Sequence, residues 1–122
     1  MTLQRQALGR LGESLAVAEL ERRGYAILER RYRTRHGEID IVAEEGGALV
    51  FVEVKARATG EFGPAAEAVT VRKRRRLASM AVEYLARHRV GARLCRFDVV
   101  AIDDAVTAPR ITVYVNAFEV EG

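Results

Sequence analysis

The stretch GEIDIVAEEGGALVFVEVK, Gly37 to Lys55, constrains this chain more than any other. Two apolar, β-branched runs flank Gly46-Gly47, and adjacent glycines accept the positive φ angles that a type I′ hairpin turn needs. A two-residue turn makes Glu45 face Ala48. Alternation then sets Ala43 opposite Val50, Ile41 opposite Val52 and Ile39 opposite Val54, one uniformly apolar face. The other face carries Val42 opposite Phe51, Asp40 opposite Glu53 and Glu38 opposite Lys55. Directly opposed residues have Cβ atoms about 4.5–5.5 Å apart, so Asp40 and Glu53 repel one another. A hairpin that served only packing would gain nothing from that pair.

Two readings of this face are open. One is a surface salt-bridge cluster of Asp40, Glu53, Lys55 and Glu38, which contributes little to stability. The other is a divalent cation held between the carboxylates. Mg²⁺ (or Mn²⁺) takes one or two carboxylates and fills its remaining positions with water and phosphate oxygens. Lys55 lies two residues from Glu53 and so points to the same face. Its ammonium could orient a water or stabilise charge on a phosphate. Residue choice favours the metal reading. The chain has eighteen arginines and two lysines, Lys55 and Lys73. A position needing only positive charge would be arginine here, whereas a compact ammonium does what a planar guanidinium cannot.

The rest of the chain reads as one α/β domain spanning residues 1–122. Residues 2–23 form a helix capped by Thr2, with a stripe of Leu8, Leu11, Leu15 and Ala18 and with Gly24 past its last turn. YAILERRYR, 25–33, is a strand, and TRHG is a turn. After the hairpin, 57–68 is a loop punctuated by Gly60, Gly63 and Pro64. Thr70 opens a second helix, to about His88, with a stripe of Leu77, Met80, Ala81, Tyr84 and Leu85. Strands at 92–103 and 110–120 close the chain. The order αβββαββ implies a mixed sheet whose first three strands form an antiparallel meander.

Charge is concentrated. Residues 70–96 hold nine Lys/Arg against Glu83 alone, whereas 97–122 hold five acids and Arg110. Arg72, Lys73, Arg74, Arg75 and Arg76 crowd the first turns of the second helix. Cations there oppose the macrodipole by about 0.3–1 kcal/mol each. The arrangement suits an arriving phosphate, attracted by helix terminus and cations together, and a nucleic-acid backbone is the expected partner, with Lys73 foremost. A solvated basic helix is the plain alternative. No apolar run approaches the ~20 residues of a membrane span, and the charged N-terminus has no secretory apolar core. The single cysteine, Cys95 in RLCRFDVV, is expected in the core and fits a reducing, cytoplasmic setting. Asp98 is expected to pair with Arg96 or brace the sheet. No zinc set, P-loop or nicotinamide fingerprint occurs.

GEID, twelve residues, then EVK resembles the D…ExK signature of the PD-(D/E)XK nuclease superfamily. With GRLGESLAVAELERRGYAILERRYR, LVFVEVKAR, FGPAAEAVTVRKRRRL and RFDVVAI, nearly the whole chain resembles the YraN-type family of small bacterial proteins, related to archaeal Holliday junction resolvases. The resemblance implies a restriction-endonuclease-like fold with an αβββαβ core. It also implies a metal-dependent nuclease acting on DNA, branched or junction DNA included, with Asp40, Glu53 and Lys55 as the site. In that reading Asp40, Glu53 and the backbone carbonyl of Val54 bind the metal, and Glu13, matching an acid on the first helix of the resolvases, joins the site to help hold a second ion or water. Junction cutting requires two sites and hence a homodimer. A non-catalytic nucleic-acid-binding module on the same fold is the alternative.

Overall fold

The computed structural model describes residues 3–118. Helix α1 spans Leu3–Arg22, strands β1, β2 and β3 span Ala26–Thr34, Gly37–Glu45 and Ala48–Ala56, helix α2 spans Val71–Arg87, and β4 and β5 span Cys95–Asp103 and Arg110–Tyr114. Two short 3-10 turns, Gly60–Phe62 and Ala65–Ala68, occupy the segment expected as a loop. The strands lie in chain order in one sheet. β1, β2 and β3 form the antiparallel meander, β3 and β4 are parallel, and β4 and β5 are antiparallel. This mixed sheet with two packed helices is consistent with a restriction-endonuclease-like core. The strand expected at 110–120 stops at Tyr114, where a turn follows, and the one expected at 92–103 begins at Cys95; the expected Thr2 cap and residues 119–120 lie outside the described residues.

The two helices cover opposite faces. Val50 and Val52 of β3 join Ile41, Val100 and Ile102 under Ala16 and Leu20 of α1. Their alternating neighbours Leu49 and Phe51 pack with Leu77, Met80, Ala81 and Tyr84 of α2. β3 is therefore buried on both sides, as a central strand must be. Its next residues keep the alternation: Val54 and Ala56 pack toward α1, which leaves Glu53 and Lys55 on the α2 face.

The leucine stripe expected on α1 is not the face that packs. Gly12, Glu13, Ala16 and Leu20 are buried, Leu8 and Leu15 only border the core, and Leu11 and Ala18 are exposed. The reason is distance of approach. A Cβ built on Gly12 would lie 2.8 Å from the Ala56 Cβ, so the helix can sit this close only where it presents small residues.

Gly46 and Gly47 have φ angles of 58° and 81°, the two positive values of the expected turn, and Glu45–Ala48 through Ile41–Val52 pair as expected. Beyond that point the structure departs from the ideal hairpin. The β2–β3 ladder ends at Ile41–Val52, so Asp40–Glu53, Ile39–Val54 and Glu38–Lys55 are not ladder pairs. Ile39 packs with the α2 cluster and Ile41 with the α1 cluster, so the strand turns over between them. Glu38 is exposed and pairs with Arg33 across β1 at 3.4 Å.

Asp98 does both things expected of it. Wholly buried, it accepts from Arg96 Nε at 2.9 Å, the Tyr25 hydroxyl at 2.6 Å and the Asn116 backbone N–H at 2.9 Å, joining the entry to β1, β4 and the end of β5. Cys95, expected in the core, is only partly buried because it opens β4 at the border of the α2 cluster. Leu94, just before it, is exposed.

Close approach at Gly12 is measurable. Gly12→Ala is expected to destabilise the fold by about 1–3 kcal/mol through overpacking. Gly9→Ala, where a Cβ meets nothing within 4 Å, should be neutral or stabilising by up to about 1 kcal/mol. Denaturant melts of both variants compare the two. Equal effects would refute the packing account.

Candidate functional site

The site forms where β2 and β3 part. In a regular ladder the Val54 N–H would bond to β2 backbone. Here the Asp40 carboxylate accepts it instead, Val54 N to Asp40 Oδ2 at 2.8 Å. A strand residue directs its N–H and C=O to the same side, so the Val54 carbonyl also faces the opening. Glu53 and Lys55 flank Val54 on the α2 face.

Helix α2 brings the cations. Leu77 and Met80 pack over Phe51 and Ile39. Lys73 and Arg76 lie one turn earlier on the same side of the helix, toward Glu53 and Lys55. The Thr70 side chain caps the helix by accepting from the Lys73 N–H at 3.3 Å. The basic run is thus divided. Half-buried Lys73 and exposed Arg76 act on the charge of Glu53, and Arg76 on that of Asp40; Arg72 and Arg75 face solvent, and Arg74 lies 5.7 Å from the Phe118 ring centroid. Both lysines of the chain therefore stand at one site, although the sequence separates them by a loop.

Electrostatics mark these groups. Burial pushes the Asp40 carboxyl up to about 6; the Val54 N–H opposes the shift, and the Glu13 and Glu38 charges add to it. Burial, reinforced by Asp40, pushes Glu53 up to about 7 despite Lys73, Arg76 and Lys55 nearby. Burial lowers the Lys55 ammonium below its ordinary value, helped by Lys73 and Arg57 and opposed by Glu53 and Asp40. Yet these opposite charges do not close on one another. Every ion pair between described residues is made by an arginine, and none includes Asp40, Glu53, Lys55, Lys73 or Arg76. The surface salt-bridge cluster that the sequence left open is absent among the described residues.

Glu13 is buried on the sheet side of α1, near enough to Asp40 to act on its charge. Its oxygens are engaged: Oε1 accepts from Arg30 Nε at 2.8 Å and Oε2 from Arg31 Nε at 2.7 Å. Sequence reasoning missed these two arginines. They are consecutive in a strand, and alternation sends neighbours to opposite faces.

No three His, Cys, Asp or Glu side chains among the described residues converge as a metal cluster. The donors at the opening are Asp40, Glu53 and the Val54 carbonyl, all oxygen. Such a set suits Mg²⁺ or Mn²⁺, which keep several waters, better than zinc, whose sites are built mainly on histidine nitrogen and cysteine sulfur.

The raised carboxyl pKa values have a sign that can be tested. Between about pH 4 and pH 7 the folded protein binds protons at Asp40 and Glu53 that the unfolded chain does not. These groups therefore make stability fall as pH rises through that window. Asp40→Asn with Glu53→Gln should raise stability at pH 8 by at least about 1 kcal/mol and remove the difference at pH 4. Melts from pH 4 to 8 measure this, and a variant less stable than wild type at pH 8 would reverse the assignment.

The model of the uncharacterised protein family UPF0102 matches residues 12–102, a span holding every residue of this site. A UPF0102 protein of Geobacter metallireducens is 49% identical over 98% of both chains. One of Desulforapulum autotrophicum is 46% identical over 99% of this chain and 100% of the relative. One of Ralstonia pickettii is 50% identical over 81% of this chain and 82% of the relative. With the YraN-type motifs and this span of likeness, the chain belongs to the UPF0102 family.

Proposed function

We propose that the protein is a metal-dependent nuclease of PD-(D/E)XK type, hydrolysing phosphodiester bonds of DNA, with its site at Asp40, Glu53 and Lys55. One observation carries the reading: the half-buried carboxylates of Asp40 and Glu53 sit beside three cations with no ion pair formed between them, whereas Glu13 and Asp98, the fully buried acids among the described residues, are both paired with arginine. Charges held apart in this way are what a bound cation and a phosphate would satisfy together.

Asp40, Glu53 and the Val54 carbonyl would hold the ion. When bound, a divalent cation polarises a phosphoryl oxygen and lowers the pKa of water. The remaining work falls to the chain. The Val54 N–H holds Asp40 in one orientation, so the carboxylate is pre-aimed. Lys55, its ammonium destabilised by burial, is suited to orient an attacking water or to meet charge as it develops on the phosphate. Lys73 and Arg76 would seat the scissile phosphate from the α2 side, and Arg72 and Arg75 would meet flanking phosphates. No helix among the described residues is long and apolar enough to cross a membrane. A DNA substrate agrees with the cytoplasmic setting expected from the sequence. Cutting a four-way junction would further require a homodimer, to supply two sites.

Cleavage of labelled linear duplex, single-stranded and four-way-junction DNA, titrated with Mg²⁺ and Mn²⁺, tests the reading. Metal-dependent cutting is expected. Lys55→Ala should lower the rate by about 10²-fold or more, and Asp40→Asn should abolish it, with DNA binding retained in both. Mg²⁺ should also raise the melting temperature of wild type but not of Asp40→Asn with Glu53→Gln. A folded Lys55→Ala variant cutting at the wild-type rate would refute the assignment. Salt-sensitive binding without cutting by any preparation would instead favour the non-catalytic binding module.

A further inference from the structure

The α1 side of the opening carries a group that the nuclease reading does not use. Arg31 has φ of 52°, left-handed backbone inside a β-strand. Non-glycine residues adopt it only at a cost, and glycine would adopt it freely. What the conformation achieves is visible in the contacts. It breaks the alternation of β1, so that Arg30 and Arg31, neighbours in sequence, both bring Nε to one carboxylate, that of Glu13.

One arginine would neutralise a buried glutamate. The second is surplus to that need, and it requires the strained residue. Each guanidinium spends only its Nε–H on Glu13. No other hydrogen bond from either is formed among the described residues, and the side chains are 43% and 46% exposed. Fixing the Nε–H leaves the remaining N–H donors of each fork turned outward in a set orientation, the geometry that binds phosphate in two-point fashion. The place is also specific. Arg30 pairs with Ile41 and Tyr32 with Ile39, so Arg31 stands at the level of Asp40 on the neighbouring strand.

We propose that Arg30 and Arg31 form a second phosphate-binding subsite beside Asp40, across the opening from Lys73 and Arg76, and that Glu13 is the positioning residue that holds it. The subsite takes a backbone phosphate of the strand whose neighbouring phosphate lies at the carboxylates. It rests on the nucleic-acid reading above and gives Glu13 work other than ligating an ion.

Fluorescence anisotropy with a 5′-labelled 20-base-pair duplex and the matching single strand, in EDTA so that metal ligation is silent, tests the subsite. The variants are Arg31→Gly, which keeps the backbone conformation, Arg30→Gln and Glu13→Gln, with Lys73→Ala/Arg76→Ala as the reference for the other side. Arg31→Gly should weaken binding about 5- to 10-fold at 0.1 M salt and reduce the slope of log affinity against log salt by about 0.7–0.9. Its melting temperature should hold or rise as strain is released. Arg30→Gln should weaken binding in the same sense. Glu13→Gln should also weaken binding, although it removes a negative charge, because the forks lose their holder. Net charge alone gives the opposite sign, so tighter binding by Glu13→Gln overturns the positioning role. If Arg31→Gly binds like wild type with an unchanged salt slope while Lys73→Ala/Arg76→Ala weakens, the subsite falls and the nucleic-acid reading stands. If wild type shows no salt-dependent binding of either probe, both fall.

Discussion

A single hydrogen bond organises the middle of this molecule, from the Val54 N–H to the Asp40 carboxylate. A side chain here does what a backbone carbonyl does elsewhere in the sheet. Because the N–H is satisfied locally, the β2–β3 ladder can stop at Ile41–Val52 without leaving an unpaired buried donor. Because the ladder stops, the two strands part and an opening forms at the sheet end. The bond also favours the ionised form of Asp40, which burial opposes. One contact therefore shapes the opening and conditions its chemistry.

Everything around that opening depends on the two helices reaching it from opposite faces. α1 reaches it through small residues: Gly12 and Ala16 let the helix lie directly on Ala56 and Val54, which places the longer Glu13 beside the strands. α2 reaches it by continuing a hydrophobic stripe into a charged one. Leu77 and Met80 anchor on Phe51 and Ile39, and one turn earlier Lys73 and Arg76 extend past the apolar contact. The cations are held by packing behind them rather than by ion pairs in front. That is why they remain free for a ligand, at a cost in local repulsion that a purely structural helix start would avoid.

Much of this is legible in the sequence. The turn at Gly46-Gly47, the order of elements along the chain, the start of α2 at Thr70 and the α2 stripe all follow from short-range rules, in which a residue type and its near neighbours suffice. Asp40, Glu53 and Lys55 stood out because their charges conflict with an apolar hairpin. The buried face of α1 is not its leucine stripe, for a physical reason. Periodicity locates the larger apolar side chains, whereas the depth of a helix on a sheet is decided by where it has none, at Gly12 and Ala16. Arg30 and Arg31 were invisible because their shared direction depends on one left-handed residue, and no local pattern in ERRYR announces it.

The sequence by itself determined the elements, their order, and the residues whose chemistry does not belong in a packed hairpin. Those are properties of spacing along the chain. Only the tertiary structure decided where the hairpin stops, which of the five basic residues in the first turns of α2 lie toward the carboxylates, and which side chains occupy Glu13. Each depends on distances between segments far apart in sequence, set by how closely two helices pack on one sheet.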